Sequence, residues 1–171
     1  MRILAITGSS RDQSSNSALL GAIADLAPPH TEVTYHPLHE LPLYQADLDH
    51  TPLPQQVIAW RQAVADSQAV VIATPEYLHN MPALLKNALE WLTTSGELHG
   101  KKTLPITFTP APPRGQQAMQ SLLWSLQALD CNILPPIAVY QSAVQIADGK
   151  LTGSAADIDM ILYGISLLTA V

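Results

Sequence analysis

Cysteine is almost missing from this chain: of 171 residues only Cys131 is one. A single thiol closes no intrachain disulfide and builds no cysteine-cluster metal site. It lies in an apolar surrounding, so it reads as an inert core thiol rather than a nucleophile. Charge is scarce as well, with 13% charged residues against 47% apolar ones. Eight Lys and Arg face 14 Asp and Glu, for a net charge of −6. No basic stripe is available to neutralise phosphates, which argues against nucleic-acid binding. No run reaches the ~18 apolar residues of a membrane span, and residues 1–7 are a short strand-like run rather than a signal peptide. The expectation is a cytosolic protein. Of six histidines, only His36 and His39 lie close together, with no third ligand, so no metal site is expected. So little charge predicts a surface partly covered by a partner subunit, although a thick two-sided core has the same composition.

What is present is a regular alternation. The length suits one domain over residues 1–171 with a real core. Arg2 to Thr7 is a short apolar run that ends at glycine, as a buried strand does. Leu19, Leu20, Ile23 and Leu26 recur at helical spacing until Pro28-Pro29 stops them. Glu32 to His36 is a second strand. Val57, Trp60 and Val64 mark a helix from about Pro54. Ala69 to Thr74 is a third strand, and Leu85, Leu89 and Leu92 mark the helix after Pro82. Thr103 to Phe108 is the fourth strand, followed by a helix over about 115–129. Ile133 to Tyr140 is the fifth, with Pro135-Pro136 arguing for an edge or a late start. Ile158, Ile161, Leu162, Ile165 and Leu168 mark a last amphipathic helix. Five strands alternating with five helices imply right-handed crossovers and a parallel sheet covered on both faces.

Two strand-to-helix junctions carry the chemistry. The first, Gly8-Ser9-Ser10-Arg11 through Asn16, gathers hydroxyls, a guanidinium and an amide at a helix start. Free N–H groups and the helix dipole suit a phosphate there, with Arg11 adding a charge-assisted contact; plain N-capping by Ser or Asn is the alternative. The loop lacks the Lys of a Walker loop and the three glycines of a dinucleotide fingerprint. A monophosphate on a bulky ring remains. The second junction, Pro75-Glu76-Tyr77-Leu78-His79-Asn80-Met81-Pro82, leaves the third strand with N–H groups that need partners, which a flavin edge would supply. Tyr77 either packs at the ring or is a half-buried loop aromatic. Glu76 reads as a structural carboxylate rather than a catalyst. Asn80 is placed to cap the next helix, with Pro82 in its first turn. His79 is an exposed loop side chain or a group that touches flavin or substrate.

Taken together, Gly8-Ser9-x-Arg11-x-x-Ser14-x-Asn16, Pro75-Glu76-Tyr77 and Pro82-x-x-Leu85-Lys86-Asn87-x-x-Glu90-Trp91 resemble the NAD(P)H-dependent FMN reductases, a family that includes quinone and chromate reductases. Leu41-Pro42-Leu43-Tyr44 resembles the family's second-loop segment. The resemblance covers residues 1 to about 140. It implies a flavodoxin-like three-layer α/β fold with strand order 2-1-3-4-5, non-covalent FMN, NAD(P)H as co-substrate, and a homodimer or homotetramer. Ser9, Arg11, Ser14, Ser15 and Asn16 take the place of the family's phosphate loop. Pro75, Glu76, Tyr77 and Leu78, with His79 beside them, take that of its isoalloxazine loop, and Thr109 and Pro110 that of a third flavin-proximal segment.

Three departures stand out. Leu78 replaces the family's usual Asn, and Asn80 its usual Ser. A proline-rich loop, Thr109 to Gly115, replaces a Ser- and Gly-rich one. Prolines carry no N–H, so few donors can face a ring from that side.

With FMN bound, hydride passes from nicotinamide C4 to flavin N5 and electrons go on to a small acceptor. The chain supplies no side-chain acid or base, and backbone N–H groups of residues 76–79 are the expected donors near N5 and O4. With no second dinucleotide motif, donor and acceptor use one site in turn, which is ping-pong. Arg114 is the loop cation nominated for an NADPH 2′-phosphate. A flavodoxin-type electron carrier, and a member that has lost efficient flavin binding, are the alternatives.

Overall fold

The computed structural model describes residues 1–171 apart from Asp12, Thr51, Asp148, Val171 and the side chains of Asp49 and His50. A parallel sheet runs through the middle. Its first four strands are β1 (Arg2–Thr7), β2 (Glu32–Tyr35), β3 (Ala69–Thr74) and β4 (Lys102–Thr109). Two short strands, β5 (Asn132–Ile133) and β6 (Ile137–Tyr140), both pair with β4. The order is β2-β1-β3-β4-β5.

Alternation along the strands feeds two cores, because successive side chains point to opposite faces. Leu4, Ile6, Val70 and Ile72 face α2 (Gln55–Asp66), α3 (Ala83–Glu90) and α4 (Gln116–Ala128), meeting Trp60, Leu85 and Leu122. Ile3, Ala5, Val71, Leu104 and Ile106 face α1 (Ser15–Leu26) and α5 (Ala155–Thr169), meeting Leu20, Ile23, Ile161 and Ile165. The helical stripes read from sequence are mostly buried; Leu26 and Leu162 stay exposed.

The expected fifth strand is broken. Residues 132–133 keep register with Lys102 and Thr103, and register resumes at Ile106 with Ile137. Between them Leu134-Pro135-Pro136 lies opposite Leu104 and Pro105. Three prolines meet at one point, none with an N–H to give, so the ladder lapses there. A hairpin that the alternation of strands and helices did not foresee follows: β7 (Val144–Ala147) and β8 (Lys150–Gly153), antiparallel.

Lys101 closes the end of α2. Its ammonium donates to the carbonyls of Val64 (2.7 Å) and Ser67, a cation on the negative end of a helix. Burial pulls its pKa down, against the opposing pull of Asp66 and Glu97. Burial likewise pushes the Cys131 thiol up to about 11, helped by Asp130 and opposed by a hydrogen bond with Thr103. Such a thiol is mostly protonated at neutral pH and a poor nucleophile.

Candidate active site

The C-terminal ends of β1, β3 and β4 open onto one cleft, beside the point where the strand order reverses. Ligands of open α/β sheets bind there. Gly8 makes the junction possible: its N–H donates to the Ala73 carbonyl at 2.9 Å, and a Cβ there would lie 2.5 Å from Thr74 Oγ1. Chain and sheet approach too closely for any side chain.

The first loop enters α1 through Ser14, whose hydroxyl accepts the N–H of Ser17 at 3.0 Å. The capping reading of Ser14 is therefore realised. It leaves the N–H groups of Ser15 and Asn16, in the first turn, without intrahelical partners. Ser9 is buried and accepts the N–H of Arg11 at 3.3 Å. Arg11 is exposed and its guanidinium meets no protein acceptor among the described residues. Asn16 is buried, and its amide donates to the Phe108 carbonyl at 3.2 Å, joining α1 to β4. Its Oδ1 has no partner among the described residues. A buried acceptor in that state invites a donor from a ligand.

In the second loop Glu76 is the structural carboxylate that the sequence suggests. Glu76 turns inward, and its Oε2 accepts three backbone N–H groups at the start of α4: Gly115 (3.0 Å), Gln117 (3.0 Å) and Ala118 (3.1 Å). The carboxylate caps the positive end of that helix. Tyr77 and Asn80 exchange both backbone hydrogen bonds at 3.0 Å. Residues 77–80 are thus a tight turn whose central residues, Leu78 and His79, have φ of 51° and 57°. Positive φ at both positions defines a type I′ turn, which usually recruits Asn or Gly. A side-chain-bearing residue held there costs ~1–3 kcal/mol.

Two expectations are corrected by this turn. The N–H of Tyr77 is engaged within it, so among residues 76–79 Glu76, Leu78 and His79 are left with N–H groups that have no partner among the described residues. Asn80 does not cap α3, whose N-cap is Pro82; its Oδ1 instead accepts from Met81 N–H (2.8 Å) and from the Ser121 hydroxyl on α4 (2.5 Å).

The third loop is as poor in donors as its prolines imply. Thr109 Oγ1 ties it shut by donating to the Arg114 carbonyl at 2.7 Å. Arg114 N–H goes to Ala111 and Gly115 N–H to Glu76. Among residues 110–115 and the described partners, Ala111 alone keeps a free N–H. Gly115 itself has φ of 103°, a conformation that favours glycine.

These loops line a cleft of about 330 Å³. It brings together Ser9, Arg11, Ser14, Ser15, Asn16, Pro75, Glu76, Tyr77, Thr109 and Pro110. Leu78 and His79 fall outside it. They line an adjoining hollow of about 580 Å³ that shares Glu76 and Arg114 with the first. Phe108 and Gln141 also line the cleft, and Gln141 donates to Ser15 Oγ at 2.9 Å. Sequence reading passed over both. Their one signal is position, at or just past the C-terminal end of a parallel strand. His36 and His39 line another hollow, which shares Ser9 and Arg11 with the cleft, and no cluster of metal ligands forms among the described residues. No helix there is long and apolar enough to cross a membrane.

A doubly wound parallel sheet with an anion-suited helix start at its switch point defines a flavodoxin-like protein. The chain belongs to the NADPH-dependent FMN reductase family, whose model matches residues 1–145. A 2-hydroxy-1,4-benzoquinone reductase from a Burkholderia species is 40% identical over 91 residues, 53% of this chain and 49% of that enzyme. The Escherichia coli K12 quinone reductase is 28% identical over 174 residues, covering 99% and 93%. The chain spans about half the length of several curated relatives it matches, the Burkholderia enzyme among them. Among solved structures, FerB, a flavoenzyme NAD(P)H:(acceptor) oxidoreductase from Paracoccus denitrificans, superposes with a TM-score of 0.85 at 25% identity, covering 98% and 94%. An archaeal flavodoxin superposes at 0.64 with 10% identity and shares the fold alone.

Proposed function

We propose that the chain is an NAD(P)H-dependent, FMN-binding oxidoreductase that delivers electrons to a small acceptor, a quinone or free FMN. One observation carries the reading. At a single switch-point cleft, the first-turn N–H groups of α1 converge with the Arg11 guanidinium and the Asn16 Oδ1, both without a partner among the described residues. That donor and acceptor set fits a phosphate joined to a polyol. Arg11, Ser9, Ser15 and the α1 start would hold the phosphate, and Asn16 Oδ1 and Gln141 the polyol hydroxyls. Pro75, Tyr77 and Pro110 would border the ring. FMN, when bound, supplies the hydride chemistry. The chain orients it, keeps its charge matched and leaves one side open.

Donor and acceptor use this cleft in turn, so initial-rate lines at varied donor and acceptor run parallel. The chain acts as one flavodoxin-like unit in the cytosol and assembles as a homodimer or homotetramer. The exposed Trp124 on α4 supports that assembly. The purified protein's visible spectrum, followed by FMN titration, tests the site. Wild type takes up FMN, and Arg11→Ala weakens uptake about tenfold to a hundredfold, the scale of a hydrogen-bonded charge. A colourless protein that ignores added FMN would contradict the reading.

A further inference from the structure

A ring that takes up two electrons and one proton gains one negative charge. A protein favours that state by aiming donors or a cation at it. The loops after β3 and β4 offer few donors. The first N–H groups of α4 would serve, but those of Gly115, Gln117 and Ala118 all go to Glu76 Oε2, at 3.0 to 3.1 Å. Pro110, Pro112 and Pro113 have no N–H to give. The Arg114 N–H donates to the Ala111 carbonyl at 3.1 Å, and the Tyr77 N–H closes its own turn. Glu76 meanwhile brings a carboxylate to the same wall.

That wall also carries a cation. Among the described residues lining the cleft, Arg11 and Arg114 are the cations and Glu76 is the one carboxylate. Arg11 belongs to the phosphate loop. Arg114 belongs to the third loop, with Thr109 and Pro110. Its backbone is held on both sides, by its own N–H to Ala111 and by Thr109 Oγ1 donating to its carbonyl at 2.7 Å. Its guanidinium has no partner among the described residues. The Glu76 carboxylate is engaged elsewhere: three N–H groups fill Oε2, and Oε1 faces His79 Nδ1 at 3.6 Å. One side-chain charge therefore stands where backbone donors are scarce.

Resting on the FMN reductase reading, we propose that Arg114 sets the redox poise of the site, its guanidinium favouring the reduced, anionic ring over the oxidised, neutral one in place of the donors that the prolines and Glu76 withdraw. Such a residue acts on the balance between two states of the cofactor, so its mark is a shift in potential rather than a uniform change in affinity.

The test is the two-electron midpoint potential of the FMN-loaded protein at neutral pH, read by reductive titration against a dye of known potential with no nicotinamide present. The affinity for oxidised FMN is measured in each variant. Arg114→Gln is expected to weaken reduced FMN about tenfold more than oxidised FMN, the scale of a hydrogen bond to a charged group, which lowers the potential by about 30 mV. Arg114→Lys keeps the charge without the planar fork and is expected to hold the ratio within about threefold of wild type. Arg114→Glu is expected to lower the potential further than Arg114→Gln. A merely structural role would weaken both forms alike and leave the potential unmoved, which overturns the proposal. So does a loss of NADP⁺ affinity relative to NAD⁺ in Arg114→Gln at an unmoved potential, since that assigns the residue to a 2′-phosphate. A chain that takes up no FMN contradicts the proposed function itself. Firm FMN binding at a potential indifferent to residue 114 contradicts only this assignment.

Discussion

Glu76 and Gly115 are 39 residues apart, yet the carboxylate of one accepts the N–H of the other at 3.0 Å. With Gln117 and Ala118 also donating to the same oxygen, the loop after β3 is bolted to the helix after β4. The two loops that border this side of the cleft are thereby tied to each other.

Removing the charge tests that coupling. Glu76→Gln keeps one acceptor oxygen for the three N–H groups but discards the anion on the helix dipole. We expect a loss of about 1–3 kcal/mol in urea unfolding together with weaker FMN binding. Unchanged stability would mean that the three hydrogen bonds add nothing net.

The turn at Leu78 makes an opposite prediction. Leu78→Gly places the residue best suited to positive φ where the chain now holds leucine. Because the leucine side chain is solvent-exposed, little packing is lost. The variant is expected to be about 1 kcal/mol more stable, seen as a higher unfolding midpoint. A less stable variant would show that Leu78 has packing the exposed turn does not reveal.

His36 supplies a pH test. Burial lowers its pKa from 6.5, against an opposing pull from Glu40, and its ring lies 5.3 Å from that of Trp60. The folded chain therefore binds this proton at lower pH than the unfolded chain does. The stability tied to neutral His36 is complete above about pH 6.5 and is lost as pH falls through the lowered folded value. The unfolding midpoint of wild type should drop more between about pH 7 and about pH 5 than that of His36→Phe, which keeps a ring on Trp60 and removes the titration. Parallel pH profiles would rule His36 out.

Much of this was legible in the sequence, and the reasons are specific. Strands buried on both faces, such as Ala69 to Thr74, show as continuous apolar runs, and helix stripes such as Val57, Trp60 and Val64 show by period. The cleft followed, since chain order and parallel pairing fix which loops meet. The hairpin has one local signal, the dipeptide Asp148-Gly149, and its four-residue strands stand outside the alternation of strands with helices. The direction of the Glu76 side chain was not legible. Its three partners lie across the sheet on α4, and nothing local to Pro75-Glu76-Tyr77 announces them. The turn at 77–80 was hidden for a different reason. Leu and His are not residues that advertise positive φ, so the engagement of the Tyr77 N–H emerged only from the fold.

The most direct measurement is anaerobic mixing of the FMN-loaded protein with NADPH, followed by flavin absorbance in a stopped-flow instrument. Rapid bleaching, with colour restored when a quinone is added, is the expected result for a reductase that serves donor and acceptor at one cleft. Firmly bound flavin that stays yellow in excess NADPH and NADH would contradict the account and point to an electron carrier on the same fold.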